Sequence, residues 1–353
     1  MDIWCLIKYY VILIQGYKMA IVTIPVSEDG SRIDRCIRRI LGNINQGILE
    51  KSLRSGLILL DNKKAKSSDK VTTGQILEYS TEIDFLNLNK RENLNQDYNH
   101  YYKKLYNEIF IKESDDYIAF NKPCGLAVQG GSKIKYNIDD MLKHKFGSHK
   151  IPKLVHRIDK ETSGLLLVAK DQTSAKKLSN YFKERKILKI YLALVSPAPK
   201  IRTGTINSPL IKAGDLENQK MVIDDDKGKF SITEYKVLDI VGSQVGLLAL
   251  YPKTGRTHQL RVHLESINAP IVGDRKYKGL SDVYSSIQDL PGHKNISSMK
   301  WKPDHIKNLQ LHAYSITLPS GEIIEAPITH DLKKTLEFLG LNLPSNINNI
   351  FNK

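Results

Sequence analysis

Cysteine is scarce in this chain, and its positions exclude several classes of protein. The three cysteines among 353 residues, Cys5, Cys36 and Cys124, are odd in number and far apart. They therefore form neither a disulfide framework nor a zinc site of paired cysteines. This usage favours a reducing compartment, and we expect a cytoplasmic protein.

Long hydrophobic runs are also lacking. Residues 3–14 are apolar except for Lys8, but a bilayer-spanning helix needs roughly 20 such residues. Asp2 stands where a signal peptide carries positive charge, and no small-residue cleavage site follows. We expect residues 1–18 to be an overlong start before Met19 that lies outside the fold, and we predict no membrane partner.

Acidic residues are outnumbered by basic ones. The chain has 53 Lys and Arg against 38 Asp and Glu, a formal net charge of +15. Such a charge favours a polyanionic partner and leaves RNA, DNA and anionic lipid open. The sequence also lacks a phosphate-binding loop, a dinucleotide-binding fingerprint and a metal-ligand cluster.

The length predicts about two domains, and residues 31–80 have the composition of a small basic one. They hold ten Lys and Arg against five Asp and Glu. Apolar residues at helical spacing predict two short helices, the second ending at Gly56, and a β unit follows. The arginines on their polar faces are candidates for RNA contacts: Arg35, Arg38, Arg39 and Arg54.

From residue 117 onward, strand patterns dominate and do not alternate regularly with helices. We predict strands at 117–121, 164–169 and 187–195, and hairpins within 233–251 and 311–327. Helices are predicted at 138–146 and at 172–186, the latter capped by Asp171. The pattern indicates an α+β fold with a mixed, mainly antiparallel sheet. Residues 279–307 have the composition of an insertion or long surface loop.

A polar loop that leads into a buried strand is the first candidate for chemistry. Residues 156–164 read His-Arg-Ile-Asp-Lys-Glu-Thr-Ser-Gly. Cations near a carboxylate favour its ionised form, which a nucleophile or an anionic stabiliser needs. A structural salt bridge would explain the same cluster.

A second candidate is residues 253–264, which read Lys-Thr-Gly-Arg-Thr-His-Gln-Leu-Arg-Val-His-Leu. Leu260 and Leu264 have helical spacing, and Thr257 can cap the helix. His258 and His263 lie about 140° apart around such a helix, so we reject them as joint metal ligands. The pattern also fits a capped basic surface helix.

Together these segments resemble the signatures of the RluA-type pseudouridine synthases. Residues 121–126, Asn-Lys-Pro-Cys-Gly-Leu, resemble the first motif of that family, and Tyr191 stands where its strand tyrosine belongs. Residues 156–167 and 255–263 resemble the second and third motifs, and residues 270–274 and 311–313 follow in family order. Segments within residues 31–80 resemble an S-four-like RNA-binding domain, which presents a basic helix pair to structured RNA.

The resemblance implies an isomerase that converts uridine to pseudouridine in RNA without a cofactor or a metal. Asp159 would be the catalytic carboxylate, acting at the ribose anomeric carbon or at the uracil ring. Arg261 would pair with Asp159, and Tyr191 would stack under the uracil. Arg157 would fill the space left by the flipped uridine. Contacts to RNA would come from His156, Lys253, Arg256, His258 and Gln259.

The predicted organisation is an extension (1–30), an S-four-like domain (31–80), a linker (81–108), a catalytic domain with the pseudouridine synthase fold (109–340) and a tail (341–353). The predicted partner is large-subunit ribosomal RNA or its precursor particle, bound by a monomer. Two alternatives stay open: a synthase acting on transfer RNA, and a non-catalytic RNA-binding ribosome-assembly factor.

Overall fold

The computed structural model describes residues 10–14, 17–41, 44, 46–81, 95–131, 134–147, 151–215, 219–277, 306 and 308–351. Backbone contacts divide the chain into two compact units, Met1–Tyr101 and Tyr102–Lys353. No helix within the described ranges has the length and apolar character needed to cross a bilayer.

The first unit contains a four-stranded antiparallel sheet in the order β1-β2-β4-β3. Its strands are β1 (Tyr10–Ile14), β2 (Tyr17–Thr23), β3 (Ile58–Leu60) and β4 (Ile76–Ser80). We expected residues 1–18 to lie outside the fold, but β1 pairs with β2 along its whole length.

Two helices pack on this sheet, α1 (Ile33–Leu41) and α2 (Gln46–Ser55). Ile33 and Ile37 of α1 and Leu49 and Leu53 of α2 share one buried core with the sheet. Gly56, at φ +83°, ends α2 as predicted. The helix pair and the small β unit agree with the local prediction, while the S-four-like assignment stays a prediction.

Helix α3 (Asn95–Ile109) occupies part of the segment 81–108, for which we expected an irregular linker. Tyr102, Leu105, Tyr106 and Ile109 are all buried and recur at i, i+3, i+4 and i+7. The amphipathic pattern escapes a sequence reading because two of its four positions are tyrosines, which count there as polar. Residues 82–94 of the expected linker lie outside the described residues.

The second unit is built on a ten-stranded sheet in which the order β10-β13-β14-β9-β15-β8-β6-β5 forms the main path. Strand β16 pairs with β15 and β7 with β8, while β11 and β12 form a separate hairpin. Only the β15–β8 pairing is parallel among the described strand pairs, so the prediction of an α+β fold with a mainly antiparallel sheet is confirmed. The strands are β5 (Phe110–Glu113), β6 (Tyr117–Lys122), β7 (Lys153–Leu154), β8 (Ser163–Ala169), β9 (Leu188–Val195), β10 (Thr203–Asn207), β11 (Leu210–Ala213), β12 (Lys220–Ile223), β13 (Ile232–Val241), β14 (Val245–Pro252), β15 (Leu311–Thr317) and β16 (Ile323–Glu325).

The described residues of this unit include four further α-helices: α4 (Ile138–Phe146), α5 (Gln172–Lys183), α6 (Gln259–Ser266) and α7 (His330–Leu339). The Asp171 side chain caps α5 by accepting a hydrogen bond from the backbone N–H of Ser174 (2.8 Å), as predicted. The predicted insertion at 279–307 falls outside the described residues except for Ile306.

The C-terminal residues do not form the tail that we expected. Leu341 and Ile347 are buried, and Ile347 packs against Ile190 and Leu192 of β9. Ile350 and Phe351 add partly buried surface to the same cluster. These apolar side chains hold the segment against the sheet because their burial removes apolar area from water.

The parallel meeting of β8 and β15 brings two backbones very close together. Gly164 has φ +105°, and a Cβ atom there would overlap the carbonyl group and backbone nitrogen of Ala313. Only glycine provides both this conformation and this approach. Ala313 in turn pairs with Tyr191, and Tyr191 with Leu250, so one row of four residues crosses four strands.

We expect Gly164→Ala to lower the free energy of unfolding by more than about 2 kcal/mol, because strain and overlap add. Gly321→Ala is the matched control, since Gly321 also has a positive φ (+87°) but open space around it. Its cost should be near 1 kcal/mol. Urea unfolding curves would measure both values, and equal costs would contradict the close approach.

Candidate active site

A cleft of about 410 Å³ opens in the second unit beside the row Gly164–Ala313–Tyr191–Leu250. The loop before β8, strand β9, the loop after β14 and the start of α6 supply its lining. Asp159 is the only carboxylate in the described lining. It shares the cleft with seven cations: Arg157, Lys183, Arg185, Lys189, Lys253, Arg256 and Arg261.

The loop that carries Asp159 is held from behind by a buried lysine. Lys122, which is 0 % exposed, donates hydrogen bonds to the backbone carbonyls of Pro123, Leu126 and Lys160 at 2.8–3.0 Å. Three carbonyls match the three donors of an ammonium group. Burial lowers the pKa of Lys122 to about 8, which still leaves it mostly protonated at neutral pH. The next residue after Asp159 is thus fixed through its carbonyl.

His156 holds the other end of this loop. Its Nε2 accepts a hydrogen bond from the backbone N–H of Leu167 (2.8 Å), and its ring stacks on Phe182 at 4.4 Å between centroids. Burial lowers the pKa of His156 to about 3, so the imidazole stays neutral and can accept. The ring also lines the cleft. Its described contacts support the loop, and its predicted contact with RNA stays a prediction.

Arg261 is paired differently from our expectation. It forms a bidentate salt bridge with Asp274, both N···O distances being 2.7 Å, and the two side chains are 6 % and 0 % exposed. No described hydrogen bond or ion pair joins Arg261 to Asp159, so our expectation of a direct pair between these two residues is wrong. Burial lowers the pKa of Arg261, but the hydrogen bonds and charge of Asp274, with the charge of Asp159 farther away, raise it overall.

A turn presents Asp274 to this arginine. Gly273 (φ +77°) allows the turn, and Asp274 Oδ1 also accepts from the backbone N–H groups of Lys276 and Tyr277. The Tyr277 ring lies 5.0 Å from the Arg261 guanidinium carbon. Asp274 belongs to a segment that resembles the family sequence, but only the folded chain identifies it as the partner of Arg261.

Tyr191 faces the cleft from β9, while its neighbours Ile190 and Leu192 are buried. This alternation is the one that the sequence predicts. Burial, and then the negative charge of Asp159, raises the pKa of Tyr191, so its hydroxyl keeps its proton at neutral pH. Tyr191 and Asp159 line the same cleft.

The start of α6 differs from the predicted cap at Thr257. The helix begins at Gln259, and His258 precedes it in a left-handed conformation (φ +51°) without a side-chain cap. The Tyr277 hydroxyl accepts from Met221 N–H (2.9 Å) and lies 2.8 Å from His258 Nδ1. Burial lowers the pKa of His258, which favours its neutral form.

The amide of Gln259 is fully engaged within the protein. Its Nε2 donates to Ile232 O and Thr233 Oγ1, and its Oε1 accepts from Thr254 Oγ1 and Arg256 N–H. The predicted RNA contact through this amide is therefore not supported, because all four of its hydrogen-bonding positions are used. Gln259 instead ties the cleft loop to β13.

The two remaining predicted cations of the loop after β14 lie at the cleft. Lys253 forms an ion pair with Glu234 (3.3 Å) and lies over the Tyr251 ring at 3.9 Å. Arg256 is exposed, and its Nε donates weakly to Phe230 O at 3.5 Å. Arg157 is exposed at the cleft, as a residue that enters the RNA must be.

The candidate arginines of the first unit differ in exposure and in their contacts within the protein. Arg35 and Arg54 are exposed. Arg39 is held by a bidentate ion pair with the buried Glu28. Arg38 donates to Ile44 O (3.2 Å) and to the Gln46 side chain. The first two therefore keep their charge uncompensated by any described ion pair.

No described group of three or more His, Cys, Asp and Glu side chains has the arrangement of a metal site. His263, the second histidine of the α6 segment, is buried between Thr233 Oγ1 (2.9 Å) and Ser208 O (3.0 Å).

Comparisons with known proteins show which family this chain resembles. A model of the RNA pseudouridylate synthase family matches residues 116–266. The chain is 38 % identical over 260 residues to ribosomal large subunit pseudouridine synthase C of Rickettsia prowazekii (strain Madrid E), covering 72 % of this chain and 84 % of that one. The protein of the same name from Buchnera aphidicola subsp. Baizongia pistaciae is 29 % identical over 323 residues, which cover 90 % of this chain and 96 % of that one.

A solved structure is also similar. Human RNA pseudouridylate synthase domain containing 4 superposes with a TM-score of 0.55 at 27 % identity. The match covers 70 % of this chain and 98 % of the human one.

We expect Asp274→Asn to lower the free energy of unfolding by about 3 kcal/mol, since it leaves the Arg261 charge buried without a counter-ion. Activity should fall as well, because Arg261 lines the cleft. The control is Glu337→Gln, which removes an exposed partner of Lys333 and should cost less than 1 kcal/mol. Equal unfolding midpoints for wild type and Asp274→Asn would show that the buried pair has no structural importance.

Proposed function

Because the chain belongs to the RluA-type RNA pseudouridylate synthase family and is thus an isomerase, we propose that it acts on specific uridines of large-subunit ribosomal RNA. The reaction replaces the nitrogen–carbon glycosidic bond by a carbon–carbon bond at carbon 5 of the same base. The carbon-5 hydrogen leaves as a proton, and the ring nitrogen released from the ribose takes up a proton, so the product is an isomer of the substrate. The observation that carries the proposal is one carboxylate, Asp159, in a cleft with seven cations.

Asp159 is the catalytic carboxylate in this proposal. No described hydrogen bond or ion pair occupies its side chain, so the carboxylate is available to the substrate. The loop around it is fixed by Lys122 and His156, so its position does not depend on contacts of its own. Such prior fixation holds a reacting group near the geometry of attack.

Tyr191 and Arg157 accommodate the target nucleotide. The Tyr191 ring provides a flat surface for the uracil at the level of the sheet, and its protonated hydroxyl can donate. Arg157 is exposed at the cleft and in this proposal replaces the extruded base in the stack. Extrusion is required because the reacting atoms of a stacked uridine are covered by its neighbours.

The surrounding cations bind the RNA backbone. Lys253 and Arg256 lie on the loop after β14 and contact phosphates, which adds affinity with little sequence information. Arg261 has its own counter-ion and keeps the floor of the cleft in place. No step calls for a metal or an organic cofactor.

The choice of large-subunit ribosomal RNA rests on relatives and on charge. Relatives from Rickettsia and Buchnera carry that substrate in their names. Residues 31–80 add a surplus of five positive charges. In the proposal this part of the chain binds structured rRNA, free or in a precursor particle, and the protein acts as a cytoplasmic monomer.

Asp159→Asn should abolish pseudouridine formation while leaving the unfolding midpoint and the RNA affinity near those of wild type. The reason is that the substitution removes the carboxylate but no described contact. Tritium release from carbon-5-labelled uridine in a large-subunit rRNA transcript measures the reaction. Asp139→Asn, which alters a half-buried carboxylate of α4 that is paired with Lys143, is the control. Continued release by the Asp159 variant would disprove the assignment.

The same assay separates the alternatives. A non-catalytic assembly factor would release no tritium in the wild-type form. A synthase for transfer RNA would release it from a tRNA transcript and not from rRNA.

Replacing Arg35 and Arg54 together by Gln should weaken binding to the rRNA transcript about tenfold at 0.1 M salt. Each lost phosphate contact also makes the salt dependence of binding less steep by about 0.7–0.9 in log–log slope. Filter binding over a salt series measures both effects. Lys333→Gln is the control for loss of a charge. If the double variant binds and modifies rRNA normally, this part of the chain has no role in substrate binding.

A further inference from the structure

One wall of the cleft is formed where α5 ends and β9 begins, and it carries two cations that the proposed mechanism does not use. Arg185 and Lys189 both line the cleft that contains Asp159 and Tyr191. Neither forms an ion pair with an acid in the described ranges of the chain. Their nearest acidic neighbour in sequence, Glu184, is paired with Lys186 at 2.8 Å.

Arg185 has an unusual backbone conformation for its residue type. It lies one residue beyond the C-cap of α5 with φ +58°. Its N–H bonds to Phe182 O (3.3 Å), and the N–H of Lys186 bonds to Tyr181 O (3.0 Å). This closure of a helix end normally uses glycine, because a side chain in the left-handed region is strained. At the end of α7 the same chain does use glycine, Gly340 at φ +67°.

The strain at Arg185 directs attention to its side chain. Residues held in sparsely populated conformations cluster at functional sites. Here the side chain is exposed, lines the cleft and makes no described hydrogen bond. The position therefore keeps a guanidinium at the cleft at a cost in stability.

Lys189 adds an independent observation. It precedes Tyr191 by two residues on β9, so both side chains project from the same face of the strand. It is half-buried, and burial together with the charge of Arg185 lowers its pKa to about 8. A half-buried ammonium without an acidic partner is unfavourable in the free protein and calls for an anion.

We propose that Arg185 and Lys189 together bind the backbone phosphate next to the target uridine. This deepens the proposed function and rests on it. Phosphate is the anion that every RNA strand supplies, and a planar guanidinium can bind two of its oxygens at once. Since Lys189 and Tyr191 share a strand face, a phosphate held there belongs to a nucleotide adjacent to the one stacked on Tyr191.

The decisive variant is Arg185→Gly, because it relieves strain while it removes charge. We expect its Tm to stay constant or rise by up to about 2 °C. Its affinity for the rRNA transcript should fall about fivefold at 0.1 M salt, with the log–log salt slope smaller by about 0.7. Stability and affinity would thus move independently, which the loss of a purely structural contact does not produce.

Two further variants complete the test. Lys189→Gln should lose affinity to a similar extent, and Lys189→Arg should restore most of it. The control is Lys170→Gln, which removes a half-buried lysine paired with Glu113 at the other end of β8, about 20 Å along the strand from the cleft. This control should bind as wild type does.

The outcomes separate this proposal from the proposed function. Unchanged affinity and salt slope in Arg185→Gly and Lys189→Gln, while wild type releases tritium from the transcript, would overturn the phosphate site alone. A fall in Tm together with affinity in Arg185→Gly would show a structural role and also overturn it. Absence of tritium release by wild type would remove the proposed function itself.

Discussion

The close parallel contact between Gly164 and Ala313 is the constraint on which the arrangement of the site depends. It joins β8, which follows the Asp159 loop, to β15, and β15 joins β9 at Tyr191. With strands about 4.8 Å apart, the end of the loop and the tyrosine are separated by only two strand spacings. A side chain at residue 164 would push these strands apart and move the carboxylate away from the ring.

Electrostatics then divides the cations of the cleft into two groups. Arg261 has a buried acidic partner, Asp274, and so belongs to the framework. Arg185 and Lys189 lack a described partner and are available to a polyanion. The free protein thus tolerates unpaired positive charge at the places where RNA phosphates would neutralise it. Buried framework charges, in contrast, are neutralised within the protein, because an unpaired charge there would cost several kcal/mol.

Local sequence patterns correctly predicted those helices that are specified by neighbouring residues of the chain. Helix α4 and the cap of α5 at Asp171 follow from apolar spacing and one capping carboxylate. Helix α3 and the packed C-terminus were missed, since tyrosines conceal the apolar face of the first and the second is stabilised only by contact with β9. The hairpin of β1 and β2 was missed because a short apolar run does not by itself indicate which strand it will pair with.

The sequence alone indicated the family and the positive charge and made Asp159, Tyr191 and Arg261 the candidate site residues, because motifs of contiguous residues carry that information. Tertiary structure decided which of these groups touch. Arg261 pairs with Asp274, 13 residues away along the chain. The turn at Gly273 places that carboxylate where it can form a bidentate ion pair with the guanidinium. Gln259 turns inward because β13 offers acceptors to its amide. Such choices depend on distances between elements, which no stretch of sequence specifies by itself.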